Sequence, residues 1–290
     1  MFAALLDLGL GRRRINEVEH GANLASMDRF GPDFVHLFVE AKKFAFEDRA
    51  RYYAEESAVP VSDLLSKNYA AERRKLIDPK KARPVPDLRD LLIEEGDTTY
   101  LTVADADGMV VSFIASLSGS FGSFITAPGT GFALQNRGAA FALLKGHPNR
   151  YGPGKRPFHT IIPAFVTKDG APFLSFGVMG GAMQPQGHAQ IIINMINFGM
   201  NVQNAGDAAR IRHTGQLGPR LPSGGRSSAV ALESGYGPST AEARRNRGHV
   251  VTLGPDAGFF GGYQAIQIDA RRRVSIGASE MRFDGHASGF

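Results

Sequence analysis

The sequence predicts a layered α+β fold, and three observations carry the prediction. The first hundred of its 290 residues follow helical spacing, a proline-bearing stretch then interrupts the chain, and from Thr98 onward the pattern changes to alternating strands punctuated by Asp-Gly turns. Runs of strands with helices grouped between them are the signature of a layered α+β arrangement. Periodicity leaves the topology open.

Taken in order, Asp33 is placed to cap a helix in which Phe34, Leu37, Phe38, Ala41, Phe44 and Ala45 recur on one face. Glu40, Lys42, Lys43, Glu47 and Arg51 fall elsewhere around it, as expected of a helix laid against a core. A second helix is expected from about Ser62 to Ile77. It cannot continue into Asp78-Pro79-Lys80-Lys81-Ala82-Arg83-Pro84-Val85-Pro86, because each proline lacks an amide donor and restricts its predecessor. That segment reads as an exposed connection whose downstream end can move.

Two hairpins follow. Thr98 to Ala104 and Met109 to Leu117 flank Asp107-Gly108, and Thr160 to Thr167 and Ala171 to Val178 flank Asp169-Gly170. The fourth of these strands runs into Gly180-Gly181 and a helix from about Gln186 to Phe198, ended by Gly199. Ser239 to Arg247 reads as another helix closed by Gly248. Val250 to Leu253, Ala265 to Ile268 and Arg273 to Ile276 read as closing strands.

Composition bounds the function. A hydrophobic content of 43% over this length supports a full core in one or two domains. No apolar run approaches the roughly 20 residues that span a bilayer, so no membrane role is expected. The opening residues place an apolar stretch before Arg12-Arg13-Arg14, the reverse of a secretory signal, and localisation stays open. With no cysteine, disulfides and thiol chemistry are excluded. The net charge of +5 is spread over separate clusters, Arg12 to Arg14, Arg244 to Arg247 and Arg271 to Arg273. No aromatics are interleaved with them, so they read as solvated faces and nucleic acid is not expected.

The chemistry concentrates at Gly96-Asp97-Thr98-Thr99-Tyr100. A threonine hydroxyl is a weak nucleophile alone, but cutting the chain before Thr98 gives that residue a free α-amine, a general base with a pKa of about 7.7 to 8.0. Four stretches in this order, Gly96 to Gly108, Gly129 to Asn136, Pro153 to Pro157 and Met179-Gly180-Gly181, resemble the γ-glutamyltransferase family over essentially the whole chain. The resemblance implies the four-layer αββα sandwich of N-terminal-nucleophile hydrolases. It also implies that residues 1–97 are the last part of a large subunit and residues 98–290 a small subunit, paired as a heterodimer after cleavage.

The resemblance further implies self-cleavage of the Asp97-Thr98 bond, with Asp97 and Gly96 supplying the approach, and then acyl transfer from a small amide through Thr98, with no metal and no cofactor. Gly180 and Gly181 are the expected oxyanion donors, since two successive glycine amides near a helix start leave the approach open. Ser116 and Ser118 lie two residues apart on one strand face, at positions where the family usually carries threonine and asparagine. Ser116 is assigned to hold the terminal amine and Ser118 to contact substrate, against a plainer reading as exposed strand hydroxyls. His159 and Thr160 stand where transpeptidases usually show a serine pair, and are assigned to substrate contact.

One departure bears on specificity. The family stretch has acidic residues just before a phenylalanine, one of which pairs with the substrate ammonium; here Ala139 and Ala140 precede Phe141. Losing such a buried charge partner costs several kcal/mol. Arg137 instead adds a positive charge that favours a dicarboxylate or oxamate-like acyl group, as in the amidohydrolase and cephalosporin-acylase-like branch. The first part of the large subunit, which supplies an arginine for the donor carboxylate, has no counterpart here. Either the chain is an incomplete gene fragment or the missing half arrives as another polypeptide, and weak or no activity is expected of it alone. The alternative is a non-catalytic, unprocessed fragment or assembly partner.

Other motifs fail. Gly152 to Arg156 is no phosphate loop, because Asn149 stands where the first glycine is required and Arg156 replaces the hydroxyl residue. Arg14 breaks a dinucleotide fingerprint at Gly9-Leu10-Gly11, and Gly119 to Gly122 does not fit a nucleophile elbow. The eight histidines show no zinc spacing.

Overall fold

The computed structural model describes residues 24–55, 59–84, 97–214, 229–254 and 257–289. Helix α1 (Pro32–Tyr52) starts on Pro32, whose fixed φ suits the first helical position, after Gly31 in extended backbone. Asp33 is therefore inside the first turn and not the cap; it pairs with Arg247 across the domain. The helix is buried on nearly every side, which corrects the expected solvent face. Glu40, Lys42, Lys43 and Glu47 are all buried. For Glu40, Lys43 and Glu47 burial is tolerated because charges meet: Lys43 to Glu40 at 2.7 Å, and Glu47 to both Arg83 at 2.7 Å and Arg51 at 2.6 Å, whereas burial holds the Lys42 pKa well below its usual value.

The second expected helix is two: α2 (Val61–Leu64) and α3 (Lys67–Lys75). The break is at Ser66, whose hydroxyl accepts from the Tyr69 amide at 3.1 Å and so caps a new helix. The connection that follows is exposed at Asp78 to Lys81 yet is not loose. Asp78 O bonds His36 at 2.7 Å, Ala82 N donates to Arg247 O at 2.7 Å, and Arg83 reaches Glu40 and Lys43 through its amide and carbonyl.

The first hairpin pairs β1 (Asp97–Ala104) with β2 (Val110–Ser118), antiparallel, with an irregularity between Asp97 and Thr98. A four-stranded antiparallel sheet follows, ordered β3 (Ala164–Lys168), β4 (Ala171–Val178), β8 (Tyr263–Asp269), β9 (Val274–Ser279). Strand β3 begins at Ala164, so Thr160 to Pro163 is not strand as expected; Pro163 has no amide to give a ladder. Helix α4 (Met183–Ile196) starts three residues earlier than periodicity indicates, with Pro185 still within its first turn. Helix α5 (Val202–Asp207) was not expected, nor were β5 (Ile211–His213) and β6 (Ala229–Leu232). These two strands and β7 (Val250–Leu253) form a three-stranded sheet in the order β5-β6-β7, the parallel β6–β7 pair being joined through α6 (Pro238–Asn246). Arg244, expected on a solvated face, is fully buried on α6, while Arg271 to Arg273 are exposed.

Two cores result. Phe34, Val35, Phe38 and Val39 of α1 pack on Ile211, Val230, Leu232 and Val251 of the three-stranded sheet. Leu174, Phe176, Val178, Tyr263 and Ala265 pack on Ile191, Ile192, Val202 and Ala205 of α4 and α5. Helix α4 serves both cores, since Ala189 and Ile193 enter the first, which explains its unbroken apolar run.

The β1–β2 hairpin covers the opposite face of the four-stranded sheet, giving a hairpin, sheet and helix stack. Gly177 makes the close approach possible: a Cβ there would come within 2.4 Å of the Tyr100 ring. Thr102 Oγ1 and Ser175 Oγ bond at 2.7 Å, and Ser112 Oγ donates to Ala164 O at 3.1 Å across the same interface.

Candidate active site

Thr98 occupies the first inward-facing position of β1. It is 7% exposed, and its Oγ1 donates to Ser116 Oγ at 3.2 Å, directly across the hairpin register. Ser118 is opposite Asp97 but has a φ of 80°, so it leaves regular extended backbone and the two serines do not simply repeat along a flat strand face. Its amide instead donates to Ser116 Oγ at 3.0 Å, fixing that hydroxyl from a second side. Ser116 is half-buried and its hydroxyl accepts from both Thr98 and the Ser118 amide.

Beyond β4 the chain makes the turn Met179-Gly180-Gly181. Gly180 has φ 117° and Gly181 φ 57°, and a Cβ on Gly180 would meet Gly261 Cα at 3.0 Å. The two carbonyls accept from Met183 N at 3.0 Å and Gln184 N at 3.1 Å, which starts α4. The two amides donate to no acceptor among the described residues. A pair of unspent backbone donors at a helix start is the arrangement an oxyanion requires.

This turn is held from behind. Met179 N donates to Gly262 O at 2.8 Å, and Arg210 Nη1 donates to the carbonyls of Phe260 at 3.0 Å and Gly261 at 2.6 Å. Arg210 is itself buried against Glu280 at 2.7 Å, and Arg282 ties Glu280 and Glu233 together at 2.7 Å and 2.6 Å. The network fixes the 260–262 backbone on which Gly180 rests.

Arg137 lies in a short 3-10 helix (Arg137–Ala140), only 5% exposed, where burial lowers its pKa. Its Nη1 donates to Thr160 Oγ1, and its Nη2 is buried with no hydrogen-bond partner among the described residues. Burial, then the charges of Arg137 and Arg156, hold His159 below the usual imidazole value, so it is neutral at pH 7.

The expected site residues fall on two sides of one turn. Thr98 and Met179 line a cavity of about 540 Å³ that also borders Gly262 and Phe283. His159, Thr160 and Gly181 line a second, of about 300 Å³. Ser116 and Ser118 join the first group through hydrogen bonds, and Arg137 joins the second through Thr160.

Residues 14–290 match the family model described as Gamma-glutamyltranspeptidase. The chain belongs to that family. Among curated γ-glutamyltranspeptidase relatives it is 34% identical over 296 residues to the Glutathione hydrolase-like YwrD proenzyme of Bacillus subtilis, covering 99% of this chain and 52% of that protein. It is 34% identical over 268 residues to the Acylase ACY 1 proenzyme of Pseudomonas sp. strain SE83, covering 91% of this chain and 45% of that one. The crystal structure of a cephalosporin acylase from Bacillus halodurans superposes on the whole chain with a TM-score of 0.76 at 38% identity, covering 49% of that chain. The chain spans about half the length of the curated relatives it matches.

Within this chain, sequence reasoning missed two groups. Arg49, which the helical pattern does not single out, lines the second cavity, and no linear signal distinguishes it from Arg51. His36, Glu40 and His249 come together in the interior, with His36 Nδ1 and His249 Nε2 at 2.9 Å. Burial keeps both imidazoles below their usual value, that of His249 at about 3, and Glu40 is already taken by Lys43 and the Arg83 amide.

Proposed function

We propose that this chain is the threonine-bearing part of a self-cutting acyl-transfer enzyme that cleaves a small acidic amide and passes its acyl group to water or an amine. The observation that carries the reading is Thr98: a buried threonine at the start of β1, with its hydroxyl already bonded to Ser116, in a chain of the γ-glutamyltranspeptidase family. In the first step the Thr98 hydroxyl attacks the Asp97 carbonyl, the C–N bond breaks and an ester forms. Water cleaves that ester, leaving a carboxylate on Asp97 and a free α-amine on Thr98.

The same hydroxyl then attacks the substrate amide. Its proton passes by way of the α-amine to the departing nitrogen, and the acyl group remains on Oγ1 until water or an amine removes it. Gly180 and Gly181 offer their amides to the developing oxyanion, an interaction of about 2.7 to 4 kcal/mol per donor in comparable sites. Ser116 orients the Thr98 hydroxyl. Ser118, Arg137, His159 and Thr160 contact the acyl group.

The half-length match and the uncovered hairpin support a further part of this reading: a second polypeptide completes the pocket and caps the hairpin, making the four-layer αββα sandwich, and the chain alone turns over weakly. Intact-mass measurement with N-terminal sequencing is the test. Two pieces divided before Thr98, abolished by Thr98→Ala but not by Thr99→Ala, support the enzyme; a single uncut chain under all conditions supports a non-catalytic assembly partner.

A further inference from the structure

Away from the active site, α1, the end of α6 and the 78–83 stretch meet at a cluster of cations. Arg244, in the last turn of α6, has no exposed surface. Burial brings its pKa down to about 10, so it keeps its charge at pH 7. Its Nε, Nη1 and Nη2 are all buried, and none has a hydrogen-bond partner among the described residues. A guanidinium presents five N–H donors in one plane, and holding such a charge in the interior with no acceptor costs several kcal/mol.

The neighbouring carboxylates are already engaged. Asp33 and Glu40 are the two whose charge acts on Arg244. Asp33 is paired with Arg247, while Glu40 gives Oε1 to Lys43 at 2.7 Å and Oε2 to the Arg83 amide at 3.1 Å. The Arg83 guanidinium is paired with Glu47. Two carboxylates thus face the three cations Arg244, Arg247 and Lys43, and one positive charge is in excess. The imidazoles do not alter this balance. His36 donates from Nε2 to Asp78 O at 2.7 Å, so its Nδ1 accepts from His249 Nε2 at 2.9 Å, and burial keeps both rings neutral at pH 7. Ligand atoms of His36, Glu40 and His249 lie within 4.8 Å of one another, close enough for a metal ion, but Lys43, Arg244 and Arg247 all oppose positive charge on His249. A field that rejects a metal ion attracts an anion.

The setting restricts its size. Arg244 lines neither of the two cavities at the active site, and its full burial suits an ion and not a metabolite. Arg247, one turn along, is half-buried and its partner Asp33 is exposed, so the cluster borders solvent. The backbone that carries the guanidinium is tied to its neighbours, with His249 N donating to Arg244 O at 3.2 Å and Ala82 N to Arg247 O at 2.7 Å. We propose that Arg244 binds a small monovalent inorganic anion, chloride above all, which balances the excess charge and braces α1, α6 and the 78–83 stretch against one another. The inference is independent of the catalytic reading.

Urea unfolding of the full chain tests it, with sodium gluconate exchanged stepwise for sodium chloride at fixed ionic strength. Screening is then constant, and gluconate is too large for the site. The folded-to-unfolded ratio should rise saturably, by about tenfold when chloride reaches about ten times its Kd. Arg244→Met, which keeps an apolar stem and removes the charge, should abolish the rise. Crystals of the native chain grown with bromide give a second measurement that holds even where Arg244→Met fails to fold: anomalous scattering should mark the ion at the Arg244 guanidinium. A ratio that ignores chloride, a response undiminished in Arg244→Met, or bromide found only elsewhere overturns the inference.

Discussion

The two faces of the β1–β2 hairpin are written for different fates. The inner face, Thr98, Tyr100, Thr102, Ser112, Ile114 and Ser116, is small, hydroxyl-rich and bonded to the four-stranded sheet. The outer face carries Leu101, Val103, Val111 and Phe113, each 44–55% exposed. A strand pair that faced water would put polar groups there. The difference teaches that the hairpin's outer face carries a row of apolar side chains that the described residues leave exposed, the face on which the proposed second polypeptide would rest.

The comparison can be broken at several strengths. Thr98→Ala should abolish acyl transfer, a loss of several orders of magnitude in kcat/KM read against the assembled enzyme, with far-UV circular dichroism unchanged. Gly177→Val should cost about 3 kcal/mol in urea unfolding, because its side chain enters the Tyr100 ring. An acid limb should accompany it. His188, fully buried against Phe176, has its pKa lowered from 6.5 to about 4 chiefly by burial. Above pH 6.5 it is neutral in both states; as pH falls from 6.5 toward 4 the unfolded chain takes up a proton that the folded one refuses, so stability declines across that window and levels off below it. Denaturant midpoints that stay flat from pH 7 to 4 would contradict this.

Thr102→Val should cost about 1 to 2 kcal/mol by stranding the buried Ser175 hydroxyl. Phe113→Ser, on the outer face, should change the stability of the chain alone by less than about 0.5 kcal/mol while reducing association in sedimentation. A penalty as large as that of Gly177→Val would mean the outer face is already covered, and would erase the contrast.

How much of this was legible follows from where each signal resides. The Thr98 hairpin and the glycine turn were readable because alternation, Asp-Gly turns and Gly-Gly are local. Strands β5 and β6, of three and four residues, are too short for periodicity to register. The charged residues of α1 were misread because a helical pattern assigns charge to solvent, whereas their partners arrive from far along the chain. Lys42 meets His213, and Arg83 reaches back to Glu40 and Glu47. Arg49 was invisible for the same reason: the cavity it lines is assembled from α1, the 158–162 stretch and the start of α4.

The anchored stretch at residues 78–84 sets a leash. Scission before Thr98 would create a carboxyl terminus at Asp97 that trails from Pro84 by the thirteen residues 85–97, a reach of at most roughly 45 Å. A tail so tethered keeps a high effective concentration near the place it was cut from.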